Sequence, residues 1–256
     1  MQLTKTIASI ILSAGLLFSC NNNASSDRLA NAATVPGTYG SGDDYYYELT
    51  TNSSGKNISI NEVTKMFVSS KGDMRSEMEI HNSASGNKAS APIIIIAHAD
   101  KPGDSFDIDD SAKTYSVNHV DSGDVSSGEK IQSTATKIGD EKIMGFNCVH
   151  ARIISKKTMG SFYSTIDTID LWKSNDVPQQ PAVKKLLAKT ESGTGNSMYS
   201  TETAGQLQQM GCDGMTVKMI MNSKDVSMTL QLTKVERRDI PGNMFEIPAG
   251  YKEVKE

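Results

Sequence analysis

Residues 43–256 predict a mainly β fold (α+β): a sandwich, a barrel or a strongly curved antiparallel sheet, with two late helices against one face. Three observations predict it. Short runs of alternating apolar and polar residues recur along most of the chain. The stretches between them carry Gly, Asp, Asn and Ser, the residues of tight turns. The apolar spacing changes to a helical period only twice, both times in the last third.

Taken in order, the first clear strand pair is Asn57–Val68 and Met74–His81. In the second, Met74, Met78 and Ile80 share one face, and Arg75, Glu77, Glu79 and His81 the other. The intervening Ser69–Asp73 predicts a hairpin turn in which Gly72 takes a positive φ. Ala91–Ala99, "APIIIIAHA", is an unbroken β-branched run, and predicts a strand buried on both faces. Further strands are expected at Lys113–Asn118, Ser133–Ile138, Asn147–Ser155 and Gly160–Trp172, with a turn at Asp121–Gly128. Pro178–Lys189 then places prolines ahead of helix formers, with Val183, Leu186 and Leu187 on one face. Thr201–Gly211 predicts a second short helix, with Thr201 as N-cap and Gly211 just past its end. Two final strands, Gly214–Asn222 and Val226–Glu236, bring the expected total to about ten.

The amino-terminal end carries an address. Lys5 precedes an apolar stretch, residues 7–18, of the length a secretory signal needs and too short to span a bilayer. Leu17-Phe18-Ser19-Cys20 resembles the lipobox of bacterial lipoproteins. The resemblance implies that residues 1–19 are removed and that Cys20 is the lipid-bearing residue, the link between protein and membrane. Two or three acyl chains, at about 0.8 kcal/mol per buried CH₂, hold firmly where one would not. Asn21 rather than Asp follows the anchor, which by resemblance to enteric sorting rules favours the outer membrane. Residues 20–42, rich in Asn, Ser, Ala and Gly, cannot bury enough apolar surface to order themselves and are expected to form a tether. Residues 43–256 follow as one domain.

Composition excludes one partner class. The chain of 256 residues has 26 basic and 30 acidic side chains, a formal net charge of −4. No basic stripe is present to neutralise phosphates, so nucleic acid is not an expected partner.

Methionine is the most unusual feature, with 13 in the chain. Met215, Val217, Met219 and Met221 alternate along one predicted strand, and Met228 and Leu230 continue the stripe on the next. Unbranched thioethers adapt to varied apolar shapes. These six residues are therefore candidate lining of a cavity for lipid or another apolar ligand, and the alternative is ordinary core packing. No histidine lies near them in sequence, which argues against a copper site. Cys148 and Cys212 are the only other cysteines besides Cys20. In an oxidising compartment the pair suggests a disulfide; two separate buried thiols are the alternative.

Catalytic and cofactor signatures are missing. There is no Gly-x-Ser-x-Gly elbow, no His-Glu-x-x-His helix and no phosphate-cradling glycine loop. The chain is thus expected to be a non-enzyme without a cofactor or metal. His81, His98, His119 and His150 stand singly on strand-like segments. The acidic pair Asp43-Asp44 and the segment Asp104–Ser111 are the only clusters suited to a hard cation. The latter lacks the mid-loop Gly and closing Glu of a calcium loop, and reads as a solvated turn. The triplets Asp110–Ala112 and Asp167–Ile169 resemble an O-glycosylation signal of some Gram-negative envelope proteins.

Several C-terminal pieces occur together in a familiar order: "KTYSVN", "TATKIGDEKIMGFNCVHARI", "IDLWKSNDVP", "GCDGMTVKM" and "MFEIPAGYKEV". They resemble an uncharacterised lipoprotein domain family whose fold is similar to the LolA/LolB/RseB group. The resemblance covers residues 110–256 and rests on Gly145, Cys148, Trp172, Gly211, Gly214, Phe245, Pro248, Gly250 and Tyr251. It implies an incomplete antiparallel barrel with helices in its mouth and an apolar cavity between. In that group the cavity accepts lipid chains or other amphiphiles. Two functions follow as expectations: a lipid-anchored envelope protein binding an apolar ligand, or a scaffold lipoprotein with a packed interior.

Overall fold

The computed structural model describes residues 43–56, 58–82, 91–101, 103–119, 129–159, 163–179 and 198–255. The signal segment, the tether, the expected turn at Asp121–Gly128 and nearly all of the first expected helix, Pro178–Lys189, lie outside them.

Twelve strands, one α-helix and one 3₁₀ turn, Gly242–Phe245, make up the regular structure of the described residues. The strands are β1 (Tyr45–Gly55), β2 (Ile58–Val68), β3 (Met74–Asn82), β4 (Ile93–Ala97), β5 (Asp104–Asp109), β6 (Thr114–His119), β7 (Glu129–Ile143), β8 (Phe146–Met159) and β9 (Tyr163–Ser174). Helix α1 (Thr201–Gln209) follows, then β10 (Met215–Asn222), β11 (Val226–Arg237) and a two-residue β12 (Lys252–Glu253). All twelve belong to one open, curved sheet, in the order β12-β6-β5-β4-β3-β2-β1-β11-β10-β9-β8-β7. Every pairing is antiparallel except β12 with β6. The two meanders, β1–β6 and β7–β11, meet where β1 pairs with β11.

The strands named above form, and three more appear: β1, β5 and the two-residue β12. β1 reads "YYYELTTNSSG", with no alternation at its start, because it is central and covered on both sides. Tyr45 and Tyr47 enter the main core, whereas Tyr46 packs with Phe67, Ile240 and Phe245 on the opposite face. β5 corrects the reading of Asp104–Ser111 as a solvated turn. Phe106 and Ile108 alternate with Ser105 and Asp107, so the acids ride on a strand. Ile94, Ile95, Ile96 and Ala97 are all buried, as a strand covered on both faces requires. Its outer side packs Ile94 and Ile96 with Ile108, Ile247 and Tyr251 from the closing segment.

Turn chemistry sets the hairpins. Gly72 takes φ 92°, and Ser69 Oγ accepts from the Asp73 amide at 3.0 Å. Gly214 has a different reason to lack a side chain. A Cβ there would lie 2.3 Å from the Ser174 carbonyl carbon and oxygen, where the entry to β10 passes the end of β9.

Helix α1 begins one residue earlier than expected. Ser200, not Thr201, is the N-cap, and its hydroxyl accepts from the Thr203 amide. Gly211, φ 75°, stands just past the C-cap Met210. The helix lies over β7. Leu207 enters the main core, and Gln206 Oε1 accepts from the edge amide of Ala135 at 2.9 Å. A polar side chain thereby occupies part of an otherwise unpaired edge. No helix among the described residues is long and apolar enough to cross a membrane.

Candidate functional site

Register decides which side chains share a face. The face on which Met219 and Leu171 lie is called inner here. On it, Met219 faces Leu230 and Met221 faces Met228 across β10 and β11. Met215, Val217, Met219 and Leu230 are buried in that cluster, while Met221 and Met228 pack against it half-buried. The six candidate lining residues thus come together on one face, within the molecule's main core. Above them, Tyr47 Oη donates to the Pro178 carbonyl at 2.6 Å, so the segment leaving β9 crosses this face. Val177 and Tyr199 join the same cluster.

One cross-strand row on this face joins Ile80, Glu62, Thr51, Leu230, Met219, Leu171, Ala151 and Lys137, from β3 to the edge strand β7. Glu62 is its only acid. It is 4% exposed, and Thr64 Oγ1 donates to Oε1 at 2.9 Å. Burial pushes its carboxyl up to about 7, against which the Thr64 bond works in the opposite direction. A second acid, Asp167, stands on the inner face of β9, opposite Ser155 and thence Ser133. It is 8% exposed, and its Oδ1 has no hydrogen-bond partner among the described residues.

The outer face is built differently. Trp172 stacks on His150 with ring centroids 4.0 Å apart, and Lys218 Nζ lies 4.1 Å from the Trp172 ring. Arg152 grips Asp170 with two bonds, Nε to Oδ1 at 2.9 Å and a terminal nitrogen to Oδ2 at 3.1 Å. His150 Nε2 meets Asp170 Oδ1 at 3.0 Å, and Trp172 Nε1–H donates to the Glu141 carboxylate.

The remaining candidates are accounted for individually. Cys20 lies outside the described residues. Of the two alternatives for Cys148 and Cys212, this structure holds separate buried thiols rather than a disulfide. Cys148 Sγ donates to the Phe146 carbonyl and Cys212 Sγ to that of Val149, each at 3.6 Å. Burial raises the Cys148 thiol to about 12, so it stays protonated at any physiological pH. Asp43 and Asp44 hold chain rather than a cation: Asp43 pairs with Arg237, and Asp44 accepts from the Ser70 and Ile240 amides. No group of three or more potential metal ligands occurs among the described residues. Of the two triplets, Asp110–Ala112 lies in the exposed β5–β6 turn, with Ser111 bonded to Asp109, and Asp167–Ile169 lies within β9.

Glu62 and Asp167 were visible in principle. Along Ile58, Ile60, Glu62, Thr64, Met66 and Val68, the acid occupies a position with inward parity. Asp167 does the same ahead of Ile169 and Leu171.

Residues 50–251 match the family described as "Domain of unknown function (DUF4412)". The chain belongs to that family. The match begins well ahead of residue 110, where the resemblance in the sequence starts. No curated protein matches. Among solved structures, the chain is similar to a LolA superfamily protein from Nitrosomonas europaea, at 7% identity and a TM-score of 0.32, covering 87% of this chain and 98% of that one. It is similar to LprF from Mycobacterium bovis at 10% identity and a TM-score of 0.34, covering 86% and 99%. A DUF1329 family protein from Desulfovibrio piger matches at 9% identity and a TM-score of 0.29, covering 93% and 96%.

Proposed function

We propose that this DUF4412 member is a lipid-anchored cell-envelope protein that binds a lipid or another apolar ligand against the inner face of its sheet. Cys20 is the acylated residue, residues 20–42 the tether, and residues 43–256 the single binding domain. The outer membrane is its address. The observation that supports ligand binding is the convergence of Met215, Val217, Met219, Met221, Met228 and Leu230 on one face. Thioethers repack around a guest at small cost, which suits a surface that opens to admit a chain. Mass spectrometry of organic extracts of the purified protein tests it: a stoichiometric lipid beyond the covalent anchor supports the reading, and its absence defeats it. Acyl labelling of the chain and of its Cys20→Ala variant tests the anchor separately.

A second reading is a non-enzymatic scaffold lipoprotein with a packed interior. The burial of Met215, Val217 and Met219 in the main core favours it.

A further inference from the structure

We propose that Glu62 is the polar anchor of the inner face, and that it takes the uncharged, hydroxyl- and ester-bearing head of a single-chain amphiphile, a monoacylglycerol, whose tail crosses Leu230 and Met219. This inference rests on the apolar-ligand reading above and assigns the head group.

Geometry carries it. Glu62 shares one cross-strand row with Leu230, Met219 and Leu171, and only Thr51 separates it from Leu230. Three strand spacings, about 14 Å, take a chain from Glu62 to Met219. From Leu230 to Ala151 that row is apolar, and it ends at Lys137 on the edge strand. Polar positions gather on one side of that stretch: Thr51 and Glu62 in the row and Thr64 two residues along β2 are all buried, with Ile80 beyond them. A face with a polar cluster on one side and an apolar row leading from it has the layout of an amphiphile.

Chemistry selects the head. Among the described residues, the side chains facing Glu62 are Leu49, Thr51 and Ser53 from β1, Met78 and Ile80 from β3, and Ile60 and Thr64 from its own strand. None carries a charge or titrates. With no cation beside it, desolvation keeps this buried carboxyl largely neutral below about pH 7. Thr64 already donates to Oε1. The proton of the neutral acid then sits on Oε2 and needs an acceptor. A hydroxyl or ester oxygen supplies one. A fatty-acid carboxylate could accept that proton too, but it would carry a bare charge out of water onto an apolar face with no cation beside Glu62 to meet it, and that desolvation opposes its binding.

The test uses the full acylated chain in detergent, with two photoactivatable probes: a monoacylglycerol and a fatty acid, each with a diazirine near the end of the tail. Labelled peptides are mapped by mass spectrometry. The monoacylglycerol is expected to label β10 and β11 at pH 6, and to do so about five-fold less at pH 8.5, the worth of one net hydrogen bond. Glu62→Leu lowers labelling at pH 6 by a similar factor. Glu62→Gln, which keeps the shape and both hydrogen-bonding roles, retains labelling but loses the pH dependence, and so guards against a folding artefact. The fatty acid labels weakly throughout. Labelling of β10 and β11 that is indifferent to both substitutions, or equal for the two probes, overturns the role of Glu62 and leaves the ligand reading standing. If neither probe labels the inner face, both fall.

Discussion

The two faces of this sheet treat a carboxylate in opposite ways. On the outer face, Asp170 receives two bonds from Arg152 and one contact from His150, so each of its oxygens is engaged by a cation or a ring nitrogen. On the inner face, Glu62 is as well buried and has one hydroxyl for company. The outer arrangement is self-sufficient: charges are matched in place and need nothing from outside. The inner one holds a carboxyl with a single hydroxyl bond among uncharged neighbours, where its ionised form is costly to maintain. The lesson is that the conspicuous cluster, with its stacked rings and ion pairs, reads as the sheet's surface bracing, while the inconspicuous acid in the methionine row is the better candidate for recognition.

The largest expected effect separates the faces by packing alone. Leu232 is fully buried in the main core. Leu232→Ala should cost about 2–5 kcal/mol, from lost transfer energy plus the cavity left behind. Ile154, on the outer side of β8, is 45% exposed. Ile154→Ala should change stability by less than about 0.5 kcal/mol. Urea unfolding of both variants makes the comparison, and equal losses would remove the distinction between an inner core and an outer surface.

Glu62 comes next, and the sign of its effect is unusual. Its carboxyl titrates near 7 when folded and near 4.3 when unfolded. Between those values the folded state holds the extra proton, so stability falls as pH rises from about 4.5 to 7 and is level beyond. The shift amounts to about 4 kcal/mol. Glu62→Gln should abolish this slope: near parity with the parent at pH 4.5, and more stable than it by a sizeable part of that amount at pH 8. Paired unfolding curves at the two pH values read the difference. A variant no more stable than the parent at pH 8 would mean that the native acid is compensated after all.

How much of this contrast the sequence disclosed depends on the range of each interaction. Strict alternation made β3 readable, because Met74, Met78 and Ile80 must face one way in any strand. The four consecutive isoleucines announced a strand covered on both sides. β5 was passed over because three aspartates drew the eye to a turn, although Phe106 and Ile108 alternate with them. β1 offers no alternation to read at its start: Tyr45, Tyr46 and Tyr47 are all buried, since a central strand is covered on both faces. The methionine stripe was legible as a stripe. The row that joins it to Glu62 was not, because it depends on the pairing of β1 with β11, strands some 180 positions apart. The stack of His150, Trp172 and Lys218 is likewise a product of register across three strands. No local pattern in the sequence points to it.

On the outer face, Asp170→Asn removes the charge that Arg152 and His150 share. Arg152 is half-exposed and can turn to water, so the loss should be modest, about 1–2 kcal/mol. A loss several-fold larger would show that Arg152 and His150 depend on Asp170 to stay in place, and that the bracing is cooperative.

The smallest effect belongs to the pair Lys65–Glu79, also on the outer face, joined at 2.6 Å across β2 and β3. Its short distance invites a large estimate: the bond raises the Lys65 ammonium's pKa and lowers that of the Glu79 carboxyl. Both side chains are about one-third exposed, however, and solvent screens most of the attraction. A double-mutant cycle with Lys65→Met and Glu79→Gln should return a coupling below about 0.5 kcal/mol, vanishing in about 1 M salt, where the screening length is about 3 Å. A coupling that survives salt would mean that this part of the outer face is shielded from solvent, and that the contrast between the faces rests on pairing alone rather than on access to water.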